Sequence, residues 1–185
     1  MAHEVKLKDV RLSFPDLFTA KDYQGNGKFR YSATFLIVPG SENDKLIQAA
    51  ILAAAKEEYG KDAGQIEAWR GNPQKFCYTP GSLKKYDGYE GMMALSTHRY
   101  ATQGRVGVYN RDLTPLTEAD GKPYGGCYVN ARVEIWAQGG KNAGIRGGLV
   151  SVQFVRDGDA FSGATKPSAD DFELIEEGAN AEDIA

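Results

Sequence analysis

Apolar and polar residues alternate through Val5-Lys6-Leu7-Lys8-Asp9-Val10-Arg11-Leu12-Ser13-Phe14, but the phase changes once. Val5 and Leu7 hold one parity, Val10, Leu12 and Phe14 the other, with the slip at Lys8-Asp9. A β-bulge absorbs one extra residue in this way and bends a strand, as a barrel wall requires. The pattern predicts a curved first strand over 5–14, ended by Pro15. Tyr23-Gln24-Gly25-Asn26-Gly27 reads as a turn or mobile loop whose glycines would let a ligand approach the backbone. A second strand is expected over 28–38. Phe29, Tyr31, Ala33, Phe35 and Ile37 share one of its faces, and Lys28 and Arg30 the other.

The period then changes. Ser41 and Asp44 have capping-box spacing, and Leu46, Ile47, Ala50, Ile51 and Ala54 recur at helical intervals up to Tyr59, where Gly60 supplies a stop. A shorter helical turn is expected around Gly64–Trp69. After Pro73 the chain reads as short strands at Phe76–Tyr78, Met92–His98 and Val106–Tyr109. Two longer strands follow, Cys127–Gln138 and Ile145–Arg156, joined by a glycine-rich loop. Curved strands with one helix predict a mainly β fold, an OB-fold-like five-stranded barrel. On the pattern alone a β-sandwich remains the rival. The expected domain is 1–156, and 157–185 is read as an acidic linker and disordered tail.

Length and composition narrow the class. At 185 residues and 42% hydrophobic content the chain supports one sizeable core. No run approaches the roughly 18 apolar residues of a membrane span. The start, Met1-Ala2-His3-Glu4-Val5-Lys6, lacks the apolar region of a signal peptide, so a cytoplasmic location is expected. Cys77 and Cys127 lack CxxC spacing and read as buried free thiols, with a disulfide or metal ligation as the alternatives. The net charge of −3 conceals an asymmetry: nine acids and one base lie from Asp157 onward, leaving 1–156 with 21 bases against 16 acids. A basic body with an acidic end is frequent among nucleic-acid binders and among solvated proteins generally.

The chemistry concentrates in two stretches. Along 127–137, Val129, Ala131, Val133, Ile135 and Ala137 make one face, and Tyr128, Asn130, Arg132, Glu134 and Trp136 the other. An outward row of Tyr, Arg and Trp suits single-stranded nucleic acid, which needs planes for bases and cations for phosphates. Packing of Trp136 under the helix or a loop is the alternative. Residues 75–111 add Lys75, Tyr78, Lys84, Lys85, Tyr86, Tyr89, Arg99, Tyr100, Arg105, Tyr109 and Arg111, with Lys28 and Arg30 joining from the second strand. Some of these tyrosines would also suit half-buried barrel positions with wet hydroxyls. Enzyme readings find little. His3 and His98 with two distant cysteines give no zinc spacing, and Gly140-Lys141-Asn142 is no Walker loop. Asp157-Gly158-Asp159 and Asp170-Asp171 read as solvated tail rather than a Mg²⁺ site. No cofactor and no catalytic residue are expected.

Two blocks carry a family resemblance: Thr117-Glu118-Ala119-Asp120-Gly121-Lys122-Pro123-Tyr124-Gly125-Gly126-Cys127-Tyr128-Val129-Asn130-Ala131, and Gln153-Phe154-Val155-Arg156-Asp157-Gly158-Asp159-Ala160-Phe161. They resemble a phage family, formerly of unknown function, that includes an Enterobacter-phage single-stranded-DNA-binding protein. The likeness runs from the first strand to about Phe172. It implies an OB fold, single-stranded-DNA binding in phage replication or recombination inside a bacterial host, and an acidic C-terminal tail. The charge split itself adds the expectation that this tail, free once DNA fills the groove, is available to phage or host replication proteins. A strand-annealing mediator is the alternative, and a phage enzyme or virion component built on the barrel is a third. Bacterial single-strand binders close their acidic tails with a bulky apolar pair; here the end is Glu182-Asp183-Ile184-Ala185.

Overall fold

The computed structural model describes residues 2–161 and 172–175. Its strands are β1 (His3–Lys21), β2 (Arg30–Ile37), β3 (Tyr78–Pro80), β4 (Met93–Tyr100), β5 (Gly107–Tyr109), β6 (Tyr128–Gln138) and β7 (Gly144–Arg156). The helix α1 (Glu42–Tyr59) continues into a 3₁₀ stretch, Gly60–Trp69. β1 pairs antiparallel with β2 and β6, β2 with β4, and β6 with β7. A parallel pairing of His98 with Gly148 joins β4 to β7 and closes the ring β1-β2-β4-β7-β6. This is a five-stranded OB-type barrel, with β3 and β5 added beside β4 and β7.

The phase slip in β1 is a bulge. Leu7 pairs with Ala131 and Val10 with Val129, so three steps on β1 meet two on β6. Asp9 absorbs the extra residue at φ 52°, and its N–H donates to Asn130 Oδ1 at 3.0 Å. Inside the ring, Leu7, Leu12, Phe35, Ile37, Leu95, Val129, Val133, Ile135 and Leu149 are buried. α1 lies on β1 and β6 with Ile47, Ala50, Ile51, Ala54 and Ala55 inward. Ser41 Oγ accepts the Asp44 N–H at 3.3 Å, and Gly60 ends the helix. Both cysteines are free and buried; burial pushes the Cys77 thiol up to about 12 and Cys127 up to about 11. Among the described residues no helix is long and apolar enough to cross a membrane.

Three local expectations need correction. β1 does not end at Pro15 but runs to Lys21, because its register with β2 shifts between Ser13 and Asp16. Proline has no N–H to give a ladder, and the irregularity removes the demand for one. Phe14 leaves the apolar phase: at φ 45° its side chain turns outward and is 49% exposed. Phe29 is likewise no core residue, since β2 begins at Arg30 and Phe29 is half exposed in the preceding loop.

Residues 157–161, read from sequence as the start of the tail, pack on the barrel. Phe161 N–H donates to Gly125 O at 2.8 Å, Arg11 donates to Asp159 O at 2.7 Å, and the Tyr124 hydroxyl donates to Asp157 at 2.6 Å. Arg11 also lies over the Phe161 ring, 4.1 Å from its centroid. Apart from these five and the exposed 172–175, the expected disordered tail lies outside the described residues.

Candidate nucleic-acid interface

Strand alternation and register bring one row of side chains around the outside of the barrel. Arg30 pairs with Tyr100, Ser32 with His98 and Thr34 with Ser96 across β2 and β4. His98 meets Gly148 at the closure, and Trp136 pairs with Arg146 across β6 and β7. Two glycines make this junction possible. A side chain at Gly147 would meet the Ser96 carbonyl oxygen at 2.6 Å, and one at Gly148 the Trp136 ring at 3.0 Å. With hydrogen there instead, β7 comes up against β4 and the indole lies over the strand. The His98 ring stands edge-on between Tyr100, at 5.2 Å, and Trp136, at 6.2 Å. Trp136 is partly exposed on the outer face, as the alternation predicts, and is not a core residue.

The cations on this face are held without being neutralised. Arg146 donates to Gln74 O at 2.6 Å, Asn142 O at 3.0 Å and Gln138 Oε1 at 3.3 Å, all uncharged acceptors. Arg30 lies 5.2 Å from the Tyr23 ring centroid. Among the described residues neither arginine, nor Lys28, has a carboxylate within 4.0 Å. Position is therefore fixed while charge remains available to an anion. Burial first, then Arg30 and Arg146, hold the His98 pKa below its usual value. At neutral pH His98 is an uncharged ring in an aromatic row.

The β1–β2 turn forms one wall. Asp22 accepts the N–H groups of Asn26 at 3.1 Å and Gly27 at 2.8 Å, and Asn26 Oδ1 accepts Lys28 N–H at 3.0 Å. Gly27 is at φ 80°, a conformation the turn needs and L side chains rarely adopt. The Gly27 hydrogen bond is the largest influence holding the Asp22 carboxyl below its ordinary range. The turn presents Tyr23, Lys28 and Phe29 outward, the Tyr23 hydroxyl donating to Asp16. Gly27, Lys28, Phe29, Tyr100, Ala101 and Thr102 line an open cleft of about 450 Å³. A second cleft of about 230 Å³ is lined by residues that include Arg30, Ser32, Ser96, His98 and Arg146.

The remaining residues singled out in the sequence are scattered. Tyr78 is buried with its hydroxyl on Asp44 Oδ1 at 2.6 Å, and Tyr89 is buried with its hydroxyl on Ser13 Oγ at 2.7 Å. Neither ring is available to a base; both belong to packing. Arg99 is half-buried and donates to the Gln103 and Gly104 carbonyls, bracing the loop after β4. Lys75 has its ammonium 5.4 Å from the Trp69 centroid, while its carbonyl accepts from Ile145. Tyr128 lies under the Arg156 guanidinium at 3.7 Å, and Arg132 pairs with Glu4 at 2.9 Å. Arg105, Tyr109 and Arg111 sit around β5, and Lys84, Lys85 and Tyr86 on the loop between β3 and β4. The face thus gathers Lys28, Arg30, Tyr100 and Trp136 from the expected set. It adds Tyr23, Phe29, His98 and Arg146, which sequence reasoning missed. Only Arg146 had a legible signal, the outward parity of β7 opposite Trp136.

Comparison with known proteins gives this fold a family. The model of the family described as "Enterobacter phage Enc34, ssDNA-binding protein" matches residues 3–185. A putative protein p50 of Acyrthosiphon pisum secondary endosymbiont phage 1 is 42% identical over 174 residues, 92% of each chain. Among solved structures, the single-stranded DNA-binding protein from bacteriophage Enc34 in complex with ssDNA has a TM-score of 0.70. It is 24% identical and covers 86% of this chain and 89% of that one. The single-stranded DNA-binding protein gp2.5 of bacteriophage T7 has a TM-score of 0.57 at 16% identity, over 96% of this chain and 98% of that one. These two structural likenesses speak to the fold, whereas the family model spans nearly the whole sequence. The chain belongs to the Enc34 ssDNA-binding protein family of phage proteins.

Proposed function

We propose that this chain binds single-stranded DNA without sequence preference along the outer face of β2, β4 and β7. The observation that carries the reading is the coincidence, on one face, of accessible rings with cations that no carboxylate neutralises. Tyr23, Phe29, Tyr100, His98 and Trp136 supply planes, and each stacked base contributes about 1–3 kcal/mol whatever its identity. Lys28, Arg30 and Arg146 supply phosphate contacts and release counterions. OB barrels bind oligonucleotides on the face of their second and third strands, which here are β2 and β4, and with the adjacent loops. The relatives named for ssDNA binding support the same ligand. The chain has no reacting step to perform in this role; it protects and presents strands during phage replication or recombination.

Titration of fluorescent oligo-dT against a duplex of equal length, at about 50 and 300 mM salt, tests this reading. Tight binding of oligo-dT that weakens with salt, with weak duplex binding, is expected. Equal affinity for duplex, or a flat salt response, would remove it. A strand-annealing assay on the same protein separates passive coating from pairing of complementary strands.

A further inference from the structure

Beyond the groove, the loop between β3 and β4 is built in two layers, a buried base and an exposed outer layer whose Tyr86 ring stands edge-on to Tyr89 at 5.2 Å. Its base is clamped: Gly81 N–H donates to Met92 O at 2.7 Å, and buried Tyr89 packs with Leu36 and Ala94 in a small core of its own. From that base Lys84, Lys85 and Tyr86 project outward, Tyr86 49% exposed. Its ring stands edge-on to Phe14 at 4.7 Å, the residue that left the core phase through a left-handed backbone. Phe14, Lys85, Tyr86 and Phe161 are among the residues around a cleft of about 420 Å³. Among the described residues neither lysine has a carboxylate within 4.0 Å.

We infer that Phe14, Lys84, Lys85 and Tyr86 form a second single-stranded-DNA subsite, onto which a strand continues after leaving the groove. The inference rests on the groove reading above. Register supplies the continuity. Ser96 lines the groove, pairs with Thr34, and Thr34 pairs with Ser13, which lines the aromatic cleft. Those are two inter-strand spacings, about 10 Å in all. Tyr89 covers this polar row, so a strand crosses over the loop, where the lysines and the Tyr86 ring lie. The pairing of open cations with exposed rings repeats that of the groove. The ligand is therefore the same polymer, and the subsite adds length to the footprint.

Length dependence is the signature that a merely structural role would not give. Oligo-dT of about 4 and about 25 nucleotides lie at the lower limit of, and beyond, the roughly 4–16 nucleotides that one OB fold covers. Full-length Tyr86→Ala and, separately, the double variant Lys84→Gln, Lys85→Gln should match wild type on the short oligomer and lose roughly tenfold on the long one. Thermal melting checks that each variant is folded. Wild-type affinity at both lengths, or equal loss at both, would overturn the subsite while leaving the groove standing. If the wild-type chain bound neither length, the groove reading would fall and the subsite with it.

Discussion

The barrel displays arginine beside aromatic residues on two parts of its surface, and the difference lies in what answers the charge. Where β1 meets β6, Arg132 is 2.9 Å from Glu4, and Arg156 makes two hydrogen bonds to Asp9 at 3.0 and 3.2 Å. Arg156 also covers the Tyr128 ring, so cation and plane satisfy one another. On the β2–β4–β7 face, Arg146 is held by carbonyl and amide oxygens and Arg30 rests by Tyr23. A phosphate reaching the first region must displace a carboxylate; one reaching the second displaces only water. Tyr128 and Trp136 belong to the same outward row of β6 and still fall on different sides of this division. Composition and alternation select both regions, and the ion pairs distinguish them.

Neutralising cations in each region gives the largest contrast. Lys28→Ala with Arg30→Ala should weaken oligo-dT binding roughly a hundredfold to ten-thousandfold, since charged hydrogen bonds contribute about 1.5–3 kcal/mol each. The slope of log affinity against log salt should become shallower by about 1.4, at about 0.7 per phosphate contact. Arg132→Ala with Arg156→Ala should leave both quantities unchanged in the same titration. Exposed ion pairs such as these contribute about 0–1 kcal/mol, so melting should shift little. Equal losses from the two double variants would abolish the distinction.

The two aromatics of β6 sharpen it. Trp136→Ala should cost about 1–3 kcal/mol of oligo-dT affinity, and wild-type indole emission should be quenched on binding. Tyr128→Ala should leave affinity unchanged, measured by the same titration. Tyr78→Phe tests packing against binding: loss of the hydroxyl from Asp44 should lower stability by about 1–3 kcal/mol with no change in affinity. Chemical denaturation beside the titration reads both.

The smallest effect concerns pH. Burial, Arg30 and Arg146 depress the folded-state pKa of His98 from its ordinary 6.5, so the unfolded chain binds its proton more readily. Stability from this group is complete above about pH 6.5 and declines as pH falls below it toward the folded value. Denaturation of wild type and His98→Gln from pH 7.5 down to 5 should therefore show a shallower decline in the variant. Parallel curves would mean that His98 is not held neutral by its surroundings.

Much of the fold was legible because barrel physics is written locally. The slip at Lys8-Asp9 announced the bulge, Ser41 and Gly60 bracketed the helix, and the alternation of 127–137 assigned every face of β6 correctly. The site was legible only in part. Nothing local says that Tyr78 finds Asp44, or that Tyr89 finds Ser13 from 76 positions away, so both looked as available as Tyr100. Phe14 and Phe29 fitted an apolar parity, but a positive φ at one and a strand start at the other turned both outward. Arg146 and His98 became a pair only through the β4–β7 closure, a parallel contact that no hairpin signals.

The claim that the strand lies on the open face is tested most directly by ultraviolet crosslinking of oligo-dT of about 8 nucleotides, a length within one OB-fold footprint. Crosslinked peptides identified by mass spectrometry should contain Tyr23, Phe29, Tyr100, His98 or Trp136. Crosslinks concentrated at Tyr128 or Tyr109, with the open-face rings unmodified, would contradict the account.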